Sequence, residues 1–224
     1  MSVWLTYSLS DFLLFSPRTY YRLFELYNRA VWPAHGPAGA LGIALIVLLR
    51  GGGAWRGRAI AGILALLWLW VAWAYLFERY ATINWAASYF AAAFAVQAFL
   101  LVVSGLVLNR LTPGADAPSR AGIVILASAL IVQPLLAPLL GRGWITAEVF
   151  GIAPDPTVVG TLGALLAAAR VPWHLLVVPL LWCAVSGATL WAMDAPDALL
   201  MPAVAVVAIG IAGWKAFTGR GPAR

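Results

Sequence analysis

Seven apolar runs divide the chain: Gly36–Leu49, Ala59–Phe77, Ala81–Leu108, Ala121–Leu140, Pro156–Ala169, Pro172–Met193 and Ala198–Phe217. A crossing of the hydrocarbon core needs about 20 apolar residues, so seven crossings would use about 140 and leave roughly 84 for ends and loops. The runs therefore predict seven transmembrane helices. Ahead of them the pattern changes. Ser16 is placed to cap a helix with Pro17 in its first position, and Arg18, Arg22, Glu25 and Arg29 follow at spacings of four, three and four. Tyr20, Leu23, Phe24, Tyr27 and Val31 fall on the opposite side. This is the pattern of an amphipathic helix lying in the membrane interface, with Trp32 as its anchor.

Composition agrees. Of 224 residues, 63% are hydrophobic and 10% charged, against roughly 45–50% and about 25% in soluble domains, and mean hydropathy is +0.92. So few charged side chains cannot cover a soluble surface, which excludes a soluble enzyme and leaves no room for a second, soluble domain. The expected organisation is a periplasmic interfacial helix over residues 1–32, a seven-helix transmembrane domain over 33–219 and a cytoplasmic tail over 220–224. The first seventeen residues hold no Lys or Arg, so no cleavable leader is expected. A single cysteine, Cys183, excludes an intrachain disulfide. The pI near 10.0 does not imply nucleic acid, because the basic residues lie between spans.

Their distribution sets an expected orientation. Arg18, Arg22, Arg29, Arg79 and Arg142 fall on the side of the N-terminus; Arg50, Arg56, Arg58, Arg110, Arg120, Arg170, Lys215, Arg220 and Arg224 fall on the other. The positive-inside rule makes the second side cytoplasmic, with the N-terminus out and the C-terminus in. Seven of the eight acids fall outside and Asp116 alone inside. Trp32, Trp85, Trp144 and Trp191 are expected as anchors outside, and Trp55, Trp173 and Trp214 inside.

An internal repeat is also suggested. At an offset of 114 residues, the segment from Leu66 to Phe77 aligns with that from Leu180 to Trp191, pairing Trp68 with Trp182. The short first and fifth runs share glycine pairs, Gly39/Gly42 and Gly160/Gly163, each preceded by prolines and closed by an arginine. A 3+1+3 plan of parallel halves follows, the topology of SWEET-type transporters.

Polar side chains inside the runs are candidates for a solute path, since hydrocarbon offers them no partner. Asn84, Gln97, Gln133, Ser186 and Thr189 would line it, with Glu78, Arg79, Asp155, Asp194 and Asp197 forming an outer rim. The plainer reading is that they make interhelical hydrogen bonds. No ionisable residue falls mid-run, which argues against a proton pump. Lys215 in the last run invites comparison with retinal proteins, but it lies near the inner end and no carboxylate is expected beside it. His35 and His174 fall on opposite sides and no ligand spacing for a metal appears. No catalytic motif is present, and neither an enzyme nor a cofactor is expected.

The stretches SDFLLFSPRTYYRLFELYNR (10–29), RYATINWAASYF (79–90), AEVFGIAPDPTVVGTLG (147–163) and LLWCAVSGATLWAM (180–193) resemble an uncharacterised multi-pass bacterial membrane-protein family of unknown function. The resemblance implies the multi-span architecture and no site residue. The likeness to SWEET-type proteins is topological only, because the Pro-Gln pairing of that group appears here reversed, as Gln133-Pro134. Two functions are carried forward: a small-solute transporter or channel of the bacterial inner membrane with a polar path between two three-helix halves, or a non-catalytic subunit that binds other membrane proteins, pigments or lipids. The expected partners are the bilayer and a homo-oligomer or membrane-protein complex, with no nucleic acid.

Overall fold

The computed structural model of the chain describes residues 15–218. The leader reading, Asp11 and the tail 220–224 lie outside the described residues. α1 (Pro17–Val31) begins at Ser16, whose hydroxyl accepts the Thr19 N–H at 3.2 Å, with Pro17 in first position. Its charged stripe pairs internally, Arg22 and Arg29 reaching Glu25 at 2.5 and 2.7 Å. Its other face, with Tyr20, Phe24 and Tyr27, is buried. A 3-10 turn, Trp32–Ala34, leads into α2 (His35–Leu49). α3 (Ala54–Trp70) continues as π-helical turns over Val71–Phe77, and α4 (Ala87–Leu101) as π-helical turns over Val102–Val107. α5 (Ala117–Leu139) is capped by Asp116, which accepts the Ser119 N–H at 2.8 Å. α6 (Pro154–Leu166), α7 (Trp173–Ala192) and α8 (Leu200–Thr218) complete the bundle. The described residues contain no strand, only an isolated antiparallel bridge between Pro113 and Ala168.

Helix surfaces are inverted relative to a soluble protein. Ile43, Val47, Leu66, Val124, Ile131, Val206 and Phe217 are exposed on the flanks, a distribution that only an apolar solvent tolerates on this scale. All seven tryptophans expected as anchors are exposed, whereas Trp68 and Trp182 are buried. The chain is an all-helical membrane protein.

The count of long spans differs from expectation. Among the described residues six helical segments, not seven, are long and apolar enough to cross a membrane: Pro17–Leu49, which takes α1 and α2 together, Trp55–Thr82, Ala87–Val107, Ala117–Leu139, Trp173–Ala192 and Leu200–Thr218. The fifth apolar run is the one with no counterpart among these segments. α6 has only 13 residues, about 20 Å at 1.5 Å per residue, short of a hydrocarbon core about 30 Å thick. It needs no lipid-facing length, since all 13 of its residues are buried among the other helices. The run Pro156–Ala169 read as a span because apolarity alone does not distinguish a lipid-exposed helix from one enclosed by protein.

Glycine makes this enclosure possible. A Cβ on Gly163 would lie 2.5 Å from the Leu126 backbone nitrogen, and one on Gly122 would lie 2.5 Å from the Gly163 carbonyl oxygen, so α5 and α6 touch backbone to backbone. The fully buried Phe150 ring packs against both Gly42 and Gly160. Gly39, the other member of the first glycine pair, has open space where a Cβ would go. The glycine pairs thus occupy unlike surroundings.

The foot of α6 is closed by Lys215. Its Nζ donates to Ser119 Oγ at 2.5 Å, to the Leu166 carbonyl at 3.0 Å and to the Ala168 carbonyl, with Asp116 at 3.4 Å. An ammonium beside the last carbonyls of a helix complements its dipole. The carboxylate not expected beside Lys215 is therefore present, brought by the loop before α5. At the head of α6, α1 locks the preceding loop: Tyr27 donates to the Ile152 carbonyl at 3.2 Å, and Asn28 Nδ2 to those of Ile145 and Ala147 at 2.7 and 2.9 Å.

Candidate functional site

Because α6 is short, its head stops below the loops and leaves a hollow. Gln133 of α5, Arg142, Thr146 and Glu148 of the following loop, Asp155 of α6 and Asp197 before α8 line it, over an apolar floor that includes Leu136, Leu190 and Met201. Its volume is ≈ 20 Å³, enough for a single water molecule.

Asp155 is the fixed point. It is 7% exposed, and its two carboxylate oxygens accept separate bonds from α7, one from Trp182 Nε1 at 2.7 Å and one from Ser186 Oγ at 2.6 Å. It also lies in the first turn of α6, where the helix dipole favours negative charge. The flanking Pro154 and Pro156 carry no N–H, so two of the donors that would otherwise make a helix N-terminus attractive to an anion are missing. Thr157 uses its hydroxyl within the turn, accepting the Gly151 N–H at 2.9 Å and donating to the Ala153 carbonyl at 2.6 Å.

Across the hollow, Arg142 Nη2 donates to Asp197 Oδ2 at 2.7 Å while its guanidinium lies 4.5 Å from the centre of the Tyr21 ring. Three buried atoms at the site find no partner among the described residues: Arg142 Nε, Glu148 Oε2 and Asp197 Oδ1. Gln133 is 7% exposed and its amide likewise makes no hydrogen bond among the described residues. Burial, and then the negative charge of Asp155, hold the Glu148 carboxyl well above the usual carboxylate range.

The sequence candidates separate into three groups. Gln133, Asp155 and Asp197 meet in the hollow, and Ser186 joins through Asp155. Gln97 and Thr189 lie elsewhere in the bundle: Gln97 is fully buried and donates to the Leu175 carbonyl of α7 at 2.9 Å, and Thr189 donates to the Val185 carbonyl of its own helix at 2.8 Å. Asn84 caps the turn before α4, accepting the Ala86 N–H at 3.0 Å. Glu78, Arg79 and Asp194 are exposed. Sequence reasoning missed Arg142, Thr146 and Glu148 as site residues, since each sits in a loop where charge is ordinary. The one available signal was Asp155, an acid between two prolines at the start of an apolar run.

A helical bundle with a fully enclosed short helix and a charged hollow at that helix's head is a polytopic membrane protein with a buried polar site. The chain belongs to the Family of unknown function (DUF6064), whose model matches residues 18–221. No curated protein and no solved structure matches it.

Proposed function

We propose that the protein moves small solutes across the bacterial inner membrane, with the hollow at the head of α6 as the mouth of the path. The observation that carries this reading is the set of buried polar atoms left without a partner around it, Glu148 Oε2, Asp197 Oδ1 and Arg142 Nε, with the Gln133 side chain beside them. A bundle held only by interhelical hydrogen bonds would pair them, because an unmade buried bond costs about 1–3 kcal/mol. A short helix whose head stops below the membrane surface is also how many transporters bring a binding site to depth. In this arrangement the foot of α6 is shut by Lys215, so passage requires α6 to shift against α5 and α7. The burial of Trp68 and Trp182, which donate to Thr161 and Asp155 of α6 at 2.8 and 2.7 Å, supports reading their segments as related halves of a 3+1+3 plan.

Purified protein in proteoliposomes, assayed by stopped-flow light scattering against a panel of small neutral and cationic solutes, is expected to show flux above empty vesicles. Gln133→Leu should slow it about tenfold, the factor that roughly 1.4 kcal/mol commands. Absence of flux for every solute would instead favour the reading as a non-catalytic membrane subunit.

The same reading has seven passes, α6 being a buried short one, with α1 lying along the outer interface and the C-terminus in the cytoplasm. The net charge of −2 on one side against +8 on the other, from five basic and seven acidic residues against nine and one, supports it. With Cys183→Ser as background, a cysteine at Thr146 should react with an impermeant maleimide in intact cells and one at Ala115 should not. The opposite pattern would reverse the orientation.

A further inference from the structure

We propose that the hollow at the head of α6 binds a proton, with the Glu148 carboxylate as its acceptor and Asp155 and the Arg142–Asp197 pair as the surrounding charges. The inference rests on reading this hollow as the mouth of a transport path and names the ion that path would couple to. Three carboxylates face one guanidinium there. The Arg142–Asp197 contact at 2.7 Å neutralises one pair, which leaves Glu148 and Asp155 as two acids around a space the size of one water. They differ in their partners. Each oxygen of Asp155 has a donor, from Trp182 or Ser186, so its anion is supported by hydrogen bonds. Glu148 Oε2 is buried with no donor among the described residues, so its anion is not, and an incoming proton goes there.

Other ligand classes fit poorly. An anion would meet the excess of carboxylates and a helix head stripped of two N–H donors by Pro154 and Pro156. Among the described residues, no three His, Cys, Asp or Glu side chains converge as a metal site. With α6 seated as it is, the ≈ 20 Å³ hollow has room for a water or a proton but not for the transported solute, which enters only when α6 shifts. The second independent sign of a ligand is Gln133, 93% buried by its 7% exposure and turned to the hollow without a hydrogen bond among the described residues. It can donate to or accept from a water delivering the proton.

The step balances simply. A hydronium from the solvent gives its proton to Glu148 Oε2, one O–H bond forms as another breaks, and water remains. The new O–H then has an unpaired acceptor at the same site, Asp197 Oδ1. The groups that act on Glu148 are Asp155, Asp197 and Arg142, and Glu148 in turn acts on Tyr20 and Tyr21 of α1 and on Tyr75 in the turns after α3, so Arg142 is the one basic side chain among these neighbours.

Infrared titration of the full chain in lipid nanodiscs tests this. The wild type is expected to show a carboxylic acid C=O band that disappears as pH rises, shifts in D2O and is missing in Glu148→Gln. Asp155→Asn should lower the midpoint of that band by about one pH unit, a tenfold loss of proton affinity, because a like charge has been removed. A wild type with no such band, a band that survives Glu148→Gln, a midpoint that rises in Asp155→Asn, or a band removed by sodium at constant pH would each overturn the proposal. The wild-type and sodium measurements keep the test decisive if Glu148→Gln does not fold. A titrating Glu148 band in a protein without solute flux would overturn the transport reading alone, and flux without the band would overturn this inference alone.

Discussion

Replacing Gly163 by alanine should destabilise the bundle by about 3 kcal/mol, at the upper end of the range for overpacking a core. Two effects oppose each other at this site. Alanine is the better helix former by about 1 kcal/mol, so an open position would gain. But the new methyl group would lie 2.5 Å from the Leu126 backbone nitrogen and 2.6 Å from the Gly122 carbonyl oxygen, and backbone cannot rotate away as a side chain does. The helices would have to separate, breaking the contact that encloses α6, and the steric term wins. Gly39→Ala is the matched control: it lies in α2 with nothing within 4 Å of the point its new methyl group would occupy, so it should be neutral or gain up to about 1 kcal/mol. Unfolding in mixed micelles with increasing SDS measures both. Equal behaviour of the two variants would show that α5 and α6 do not meet at their backbones.

Lys215→Met should cost a similar amount, about 3 kcal/mol, for a different reason. Methionine preserves the length of the buried stem but leaves the Leu166 and Ala168 carbonyls and the Ser119 hydroxyl without their donor. Each unsatisfied buried acceptor costs about 1–3 kcal/mol, reduced by relaxation and by no longer burying an ammonium. The ion pair with Asp116 is the smaller part, since that carboxylate is 46% exposed and 3.4 Å away; exposed pairs contribute about 0–1 kcal/mol. Asp116→Asn, which retains the cap on α5, should therefore cost less than about 1 kcal/mol. If Asp116→Asn were as damaging as Lys215→Met in the same SDS titration, the foot of α6 would be held by charge pairing and not by the helix carbonyls.

The amphipathic stripe of α1, its Ser16-Pro17 start, the apolar flanks and the exposed tryptophans were all legible in the sequence. These features are local: a cap needs only its own turn, a stripe only its own helix, and the bilayer imposes apolarity on every lipid-facing position whatever the neighbouring helix does. Gln133, Asp155, Asp197 and Ser186 were legible as candidates because polar groups near hydrocarbon require partners. Which partner each would find was not. Gln97 and Ser186 look alike in sequence, yet the first gives its amide N–H to the Leu175 carbonyl, leaving Oε1 without a partner among the described residues, and the second holds the site acid.

The tertiary structure alone decided the rest. Whether an apolar run faces lipid or protein depends on what surrounds it, so the enclosure of α6, and with it the loss of one long span, could not be read from hydropathy. Loop charge is equally ambiguous. Glu148 and Arg142 became site residues only because α1 fixes the loop that carries them, from Arg142 to Ile152, through Tyr27 and Asn28 and folds it over the head of a helix too short to fill the space. Burial, which raises the proton affinity of a carboxylate, is a property of that packing and is written in no single segment of the chain.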